Sequence, residues 1–164
     1  MSSLGLIQIL ATLLPREAKL GWVIPNGNRT PLDEASIRWL LHQGFGLILA
    51  APGADLGGFH RGQVGLQYLN TDGGLVSWEK HAVSGLVIEF PVGQSLDWLN
   101  RLLAMGSRAF PKVGGGHFCI ILDDGAATEQ GLGSLTRQAG LMEVTRLKTP
   151  GKEARIYRCP PQES

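Results

Sequence analysis

The chain has 164 residues, 43% of them hydrophobic and 18% charged, with a formal net charge of +1. That composition excludes a disordered chain, and its mixed charges form no basic block of the kind that marks a nucleic-acid footprint. Two cysteines, Cys119 and Cys159, lie too far apart in sequence to suggest a disulfide framework or a metal site, so a reducing cytoplasm is the expected compartment.

The length suits one domain over residues 1–164, with an apolar helix at 1–15 and a tail at 160–164. The stretch Leu4 to Leu14 is apolar but too short to span a bilayer. It also lacks the basic start of a signal peptide. Leu6, Ile9, Leu10, Leu13 and Leu14 recur at helical spacing and predict an amphipathic helix docked through that stripe. Lys19 to Ile24 is a short apolar strand, closed by Pro25-Asn26-Gly27-Asn28. Thr30 then reads as a helix N-cap with Pro31 at the first helical position, and Ile37, Leu40 and Leu41 form the inward stripe.

Gly46 to Ala51 is an unbroken apolar run, as a strand covered on both faces requires. A glycine-rich loop follows, then a third strand over Val64 to Leu69 and the turn Asn70-Thr71-Asp72-Gly73-Gly74. Gly85 to Phe90 is a strand, and Ser95 to Met105 a helix with Leu96, Leu99, Leu102 and Leu103 inward. His117 to Leu122 is a strand closed by Asp123-Asp124-Gly125, and Glu129 to Ala139 is a helix. Leu141–Leu147 and Ala154–Cys159 are two further strands across Thr149-Pro150-Gly151-Lys152. Strands alternating with helices predict parallel pairing, whereas so short a connection forces the last two strands antiparallel. The expected fold is α/β: a Rossmann-like, mostly parallel sheet with helices on both faces and a C-terminal antiparallel hairpin.

Two features resemble class I S-adenosylmethionine-dependent methyltransferases. One is the run from Arg108 through Pro111-Lys112-Val113-Gly114-Gly115-Gly116 into His117-Phe118-Cys119-Ile120-Ile121. The other is Gln138-Ala139-Gly140-Leu141-Met142-Glu143-Val144 leading into the terminal hairpin. Together they cover roughly half the chain by pattern reading. The resemblance implies a cofactor held at the strand ends, with Gly27, Asp55, Asp72 and Glu89 as the contacting residues. The first half departs from that pattern. Gly27 stands in the place of a glycine-rich loop, without an acid before it, and Pro25 removes a backbone donor. Ala50-Ala51-Pro52 supplies no acid for the ribose hydroxyls, and Asp55 comes several residues late.

Asp72 either accepts a bond from an adenine amine or serves as a turn residue, and the turn reading ranks first. Asp123 and Asp124 either act as paired carboxylates at a strand end or form a solvated turn, which is again favoured. The four histidines share no ligand spacing. There is no Gly-x-Ser-x-Gly elbow and no Walker-type loop. The leading expectation is a degenerate methyltransferase-like domain, non-catalytic and without cofactor, serving as a binding or scaffold module for a protein partner or for copies of itself. The alternatives are a small methyltransferase that binds S-adenosylmethionine, and another nucleotide-binding or regulatory doubly wound domain. Neither nucleic acid nor a membrane span is expected.

Overall fold

The computed structural model describes residues 4–25, 34–51, 64–71 and 74–161. Helix α1 (Leu4–Leu13) leads into strand β1 (Lys19–Val23), helix α2 (Glu34–His42) and strand β2 (Gly46–Ala51). Strand β3 (Leu66–Asn70), a single 3-10 turn at Trp78–Lys80 and strand β4 (Gly85–Phe90) come next. Helix α3 (Leu96–Ala109), strand β5 (Gly116–Asp123), helix α4 (Glu129–Gln138) and the strands β6 (Met142–Thr149) and β7 (Lys152–Cys159) complete the order. The strands form one seven-stranded sheet in the order β3-β2-β1-β4-β5-β7-β6. The pairs from β3 to β5 are parallel, and β7 is antiparallel to both β5 and β6. The expected fold class is thus observed.

Both faces of the sheet are covered. Leu20, Trp22 and Val87 share one core with α1 and α2, while Leu86, Phe118 and Ile120 share the other with α3 and α4. Successive strand residues point to opposite faces, so a strand between two helical layers must be apolar throughout. That is the reason for the unbroken runs in β2, β4 and β5. Three of the four tryptophans, Trp22, Trp78 and Trp98, are core residues.

Local chemistry fixes the helix ends. Ser95 caps α3 by accepting from the Trp98 amide, and Thr128 caps α4 by accepting from the Gly131 amide. Helix α3 runs past Met105, where the sequence pattern stops, to Ala109. Gly106 permits this, because a Cβ there would stand 2.7 Å from Phe118 Cε1, so the glycine lets the helix lie close on β5. The helix ends at Phe110 because Pro111 follows. In the turn before β5, Gly115 has φ +71°, and an added Cβ would meet the Cys159 carbonyl oxygen at 2.2 Å.

Helix α1 differs from expectation. Leu6, Ile7, Leu10 and Leu14 are buried, whereas Ile9 and Leu13 are exposed by 42% and 37%. At about 100° per residue, positions 9 and 13 fall to one side of the docked face, and Ile7 takes the inward place. Leu41 and Leu96, also expected inside, are half-buried.

Candidate functional site at the strand ends

Strand β1 pairs with β2 on one side and β4 on the other, both parallel. The chain moves outward from β1 to β2 and β3, then crosses back to β4. In an open α/β sheet, the crevice beyond the carboxyl ends at such a reversal is where ligands bind. The expected residues Gly27, Asp55 and Asp72 lie outside the described residues. Glu89 is described, and it stands at this crevice on the end of β4.

Glu89 has a defined partner. The Trp22 indole N–H donates to its Oε2 across 2.9 Å. Trp22 pairs in register with Val87, so its side chain and that of Glu89 lie on the same face of adjacent strands. A buried indole N–H needs an acceptor, and Trp22 is 1% exposed. The sequence therefore held a signal for this pair, but scattered tryptophans did not reveal which acid would meet which ring.

The described ends of β1 and β2 are apolar. Val23, Ile24, Ala50 and Ala51 are all buried. The Ile24 amide donates to the Ala50 carbonyl at 2.9 Å, continuing the ladder one step past β1. The stretch after β3 is tied down over β1: Thr71 donates its amide to Ala51, and Trp78 donates its indole N–H to the Gly74 carbonyl at 2.9 Å. Gly74 has φ +65°, and a Cβ there would fall 2.4 Å from Val23 Cγ1. Only glycine allows so close an approach in that conformation.

The remaining chemical groups lie elsewhere or are inert. Cys119 is fully buried, and burial, reinforced by the charge of Glu89, pushes its thiol far up, so it stays protonated and is no nucleophile. His117 stands at the start of β5, away from the crevice. Burial, followed by the Arg158 charge, lowers its pKa and keeps the imidazole neutral at pH 7. Asp123 and Asp124 form a turn, in which Ala126 donates to the Asp123 carbonyl and Asp124 donates to Gly151. Among the described residues, no group of three His, Cys, Asp or Glu is placed to hold a metal ion. A cleft of about 870 Å³ between α1 and α2, with Leu14, Trp39 and Phe45 among its lining, opens at the other end of the strands. Among the described residues, no helix is long and apolar enough to cross a membrane.

No family model and no curated protein matches the chain in sequence. Its fold has many counterparts among solved structures. A putative methyltransferase from Bacillus halodurans superposes with TM-score 0.68 at 9% identity, over 96% of this chain and 99% of that one. A putative tRNA (m1A22) methyltransferase from Streptococcus pneumoniae, in complex with S-adenosyl-L-methionine, gives 0.62 at 14% identity over 100% and 76%. The putative methyltransferase bound to the Trm112 activator in Haloferax volcanii gives 0.63 at 12% identity over 90% and 84%. Across such structures the chain spans 60% to 99% of its counterpart. With the strand order and the terminal hairpin, these likenesses define the class: the chain has the class I methyltransferase fold.

Proposed function

We propose that this chain is a methyltransferase-fold domain acting as a non-catalytic binding module. One observation carries the reading: the described ends of β1 and β2 close with buried apolar side chains, and the acid at the crevice, Glu89, takes a hydrogen bond from Trp22. A ribose is held by carboxylates that accept from its hydroxyls. Here those two strand ends present none, and an apolar wall leaves such hydroxyls without acceptors. The fold itself does not fix activity. Its use with a protein partner has a precedent in the putative Haloferax volcanii methyltransferase in complex with the Trm112 activator. Two buried cysteines suit a reducing cytoplasm.

A second reading, a small S-adenosylmethionine-dependent methyltransferase, draws support from the intact strand order with Glu89 at the reversal point. Methyl transfer relies largely on positioning donor and acceptor, so it requires no triad. Calorimetric titration with S-adenosylmethionine and S-adenosylhomocysteine separates the two. Absence of binding at millimolar ligand is the outcome expected for the binding module. Saturable binding, weakened by Asp72→Ala or Glu89→Gln, would replace it with the enzyme.

A further inference from the structure

We propose that the chain pairs with a second copy of itself through the outer edge of β6, which would extend the sheet across a two-fold axis at Arg146. This names the partner for the binding-module reading and rests on it.

Strand β6 ends the sheet, and it is long and mostly exposed. Of the eight large hydrophobic side chains exposed among the described residues, three lie on this strand: Met142, Val144 and Leu147. An apolar concentration of this kind marks an interaction surface.

The order of residues along the edge identifies the occupant. A bulge falls between Glu143 and Thr145, so these two oppose the successive residues Tyr157 and Ile156 of β7, and Val144 is the extra residue. Glu143, Thr145, Arg146, Leu147 and Lys148 therefore take five consecutive ladder positions, with Arg146 at the centre. Two identical antiparallel strands related by a two-fold axis place the central residue opposite itself. Glu143 then faces Lys148 of the second copy, twice, and Thr145 faces Leu147 of the second copy, twice. Charged residues and bulges ordinarily blunt a sheet edge. Here the charges come in self-complementary order.

The two central arginines are not bare charges. Arg146 lies within salt-bridge distance of Glu143, Glu129 and Glu153, at 2.6, 3.2 and 3.6 Å. Arg155 pairs with Glu129 and Glu153. These three carboxylates surround the Arg146 and Arg155 guanidinium groups, so each arginine that meets its copy at the axis is neutralised within its own chain.

The test is sedimentation of the full chain at micromolar concentration. The wild type is expected to be dimeric. Glu143→Lys and Lys148→Glu each place like charges opposite one another and should weaken self-association by about tenfold or more. Mixing the two variants should restore a heterodimer, because both cross-pairs become attractive again. Arg146→Cys should form an intermolecular disulfide, since facing residues at the axis have suitable Cα spacing, and the native Cys119 and Cys159 are buried. A monomeric wild type overturns this pairing and leaves the cofactor titration to decide the binding-module reading on its own. A dimer that ignores both charge reversals also overturns it.

Discussion

The Trp22 indole nitrogen donates to Glu89 Oε2 across 2.9 Å, bonding β1 to β4 through side chains at the place where the strand order reverses. The ring fills core space on one face, while its N–H holds the carboxylate at the crevice. Trp22→Phe keeps most of the packing and removes the donor. A bond to a charged acceptor justifies an expected loss of about 1–3 kcal/mol, read from urea unfolding. A variant as stable as the wild type would show that Glu89 has no need of the indole.

Helix α1 has a core face and a free flank, and the two predict opposite outcomes. Leu10 is fully buried, so Leu10→Ala should cost about 2–5 kcal/mol. Ile9→Ser, on the exposed flank, should change the stability of the monomer by less than about 0.5 kcal/mol. Denaturant midpoints for the pair give the comparison.

The turn before β5 leaves no room for a side chain. At Gly115, φ is +71° and an added Cβ would meet the backbone oxygen of Cys159 at 2.2 Å. Backbone cannot move aside as a flexible side chain does. Gly115→Ala should therefore destabilise by more than about 2 kcal/mol. Gly114→Ala has open space around it and should cost less, since only its positive φ is strained. Thermal unfolding of the two variants tests the order.

The ion cluster between α4 and the terminal hairpin gives the fold a pH dependence. Arg155 is 4% exposed. Burial disfavours its charge, but the hydrogen bonds it donates to Glu129, Tyr157 and Glu153 outweigh that and raise its pKa. The Glu129 carboxyl is held below the usual carboxylate range, chiefly by its hydrogen bond with Arg155. A depressed folded pKa means stabilisation that is present above the unfolded value of about 4.3 and lost as pH falls through the folded one. Glu129→Gln should be less stable than the wild type at pH 7, and the difference should disappear as pH falls through the depressed folded pKa. A gap that persists in acid would assign the effect to packing.

The second half of the chain was legible in the sequence because several signals coincide there. Leu96, Leu99, Leu102 and Leu103 recur at helical spacing, and glycines punctuate the strands. The Pro150-Gly151 turn left the last two strands no choice but antiparallel pairing, as observed. The strand order was harder to read, since the insertion of β7 between β5 and β6 depends on contacts distant in sequence. At the crevice, Glu89 stood in the pattern, but Trp22 as its donor did not. Strand alternation assigns a face to each residue, not a neighbour on the next strand. Trp78 and Gly74 were missed for a similar reason: their bond ties the stretch after β3 over β1, and nothing local in sequence announces it. Helix α1 misled because, apart from Gln8, its large residues are apolar, so spacing alone could not separate docked from exposed side chains.

Strand β7 has consequences for the order of assembly during synthesis. Strands β1 to β5 find their parallel neighbours among one another, so that part of the sheet can zip up as the chain emerges. Strand β6 emerges next but has no place to attach, because its neighbour among the described residues is made after it. Until the residues from Lys152 onward have left the ribosome, β5 offers an open hydrophobic edge and β6 trails free beside it. A nascent chain stalled anywhere in that interval is the form most in need of a chaperone.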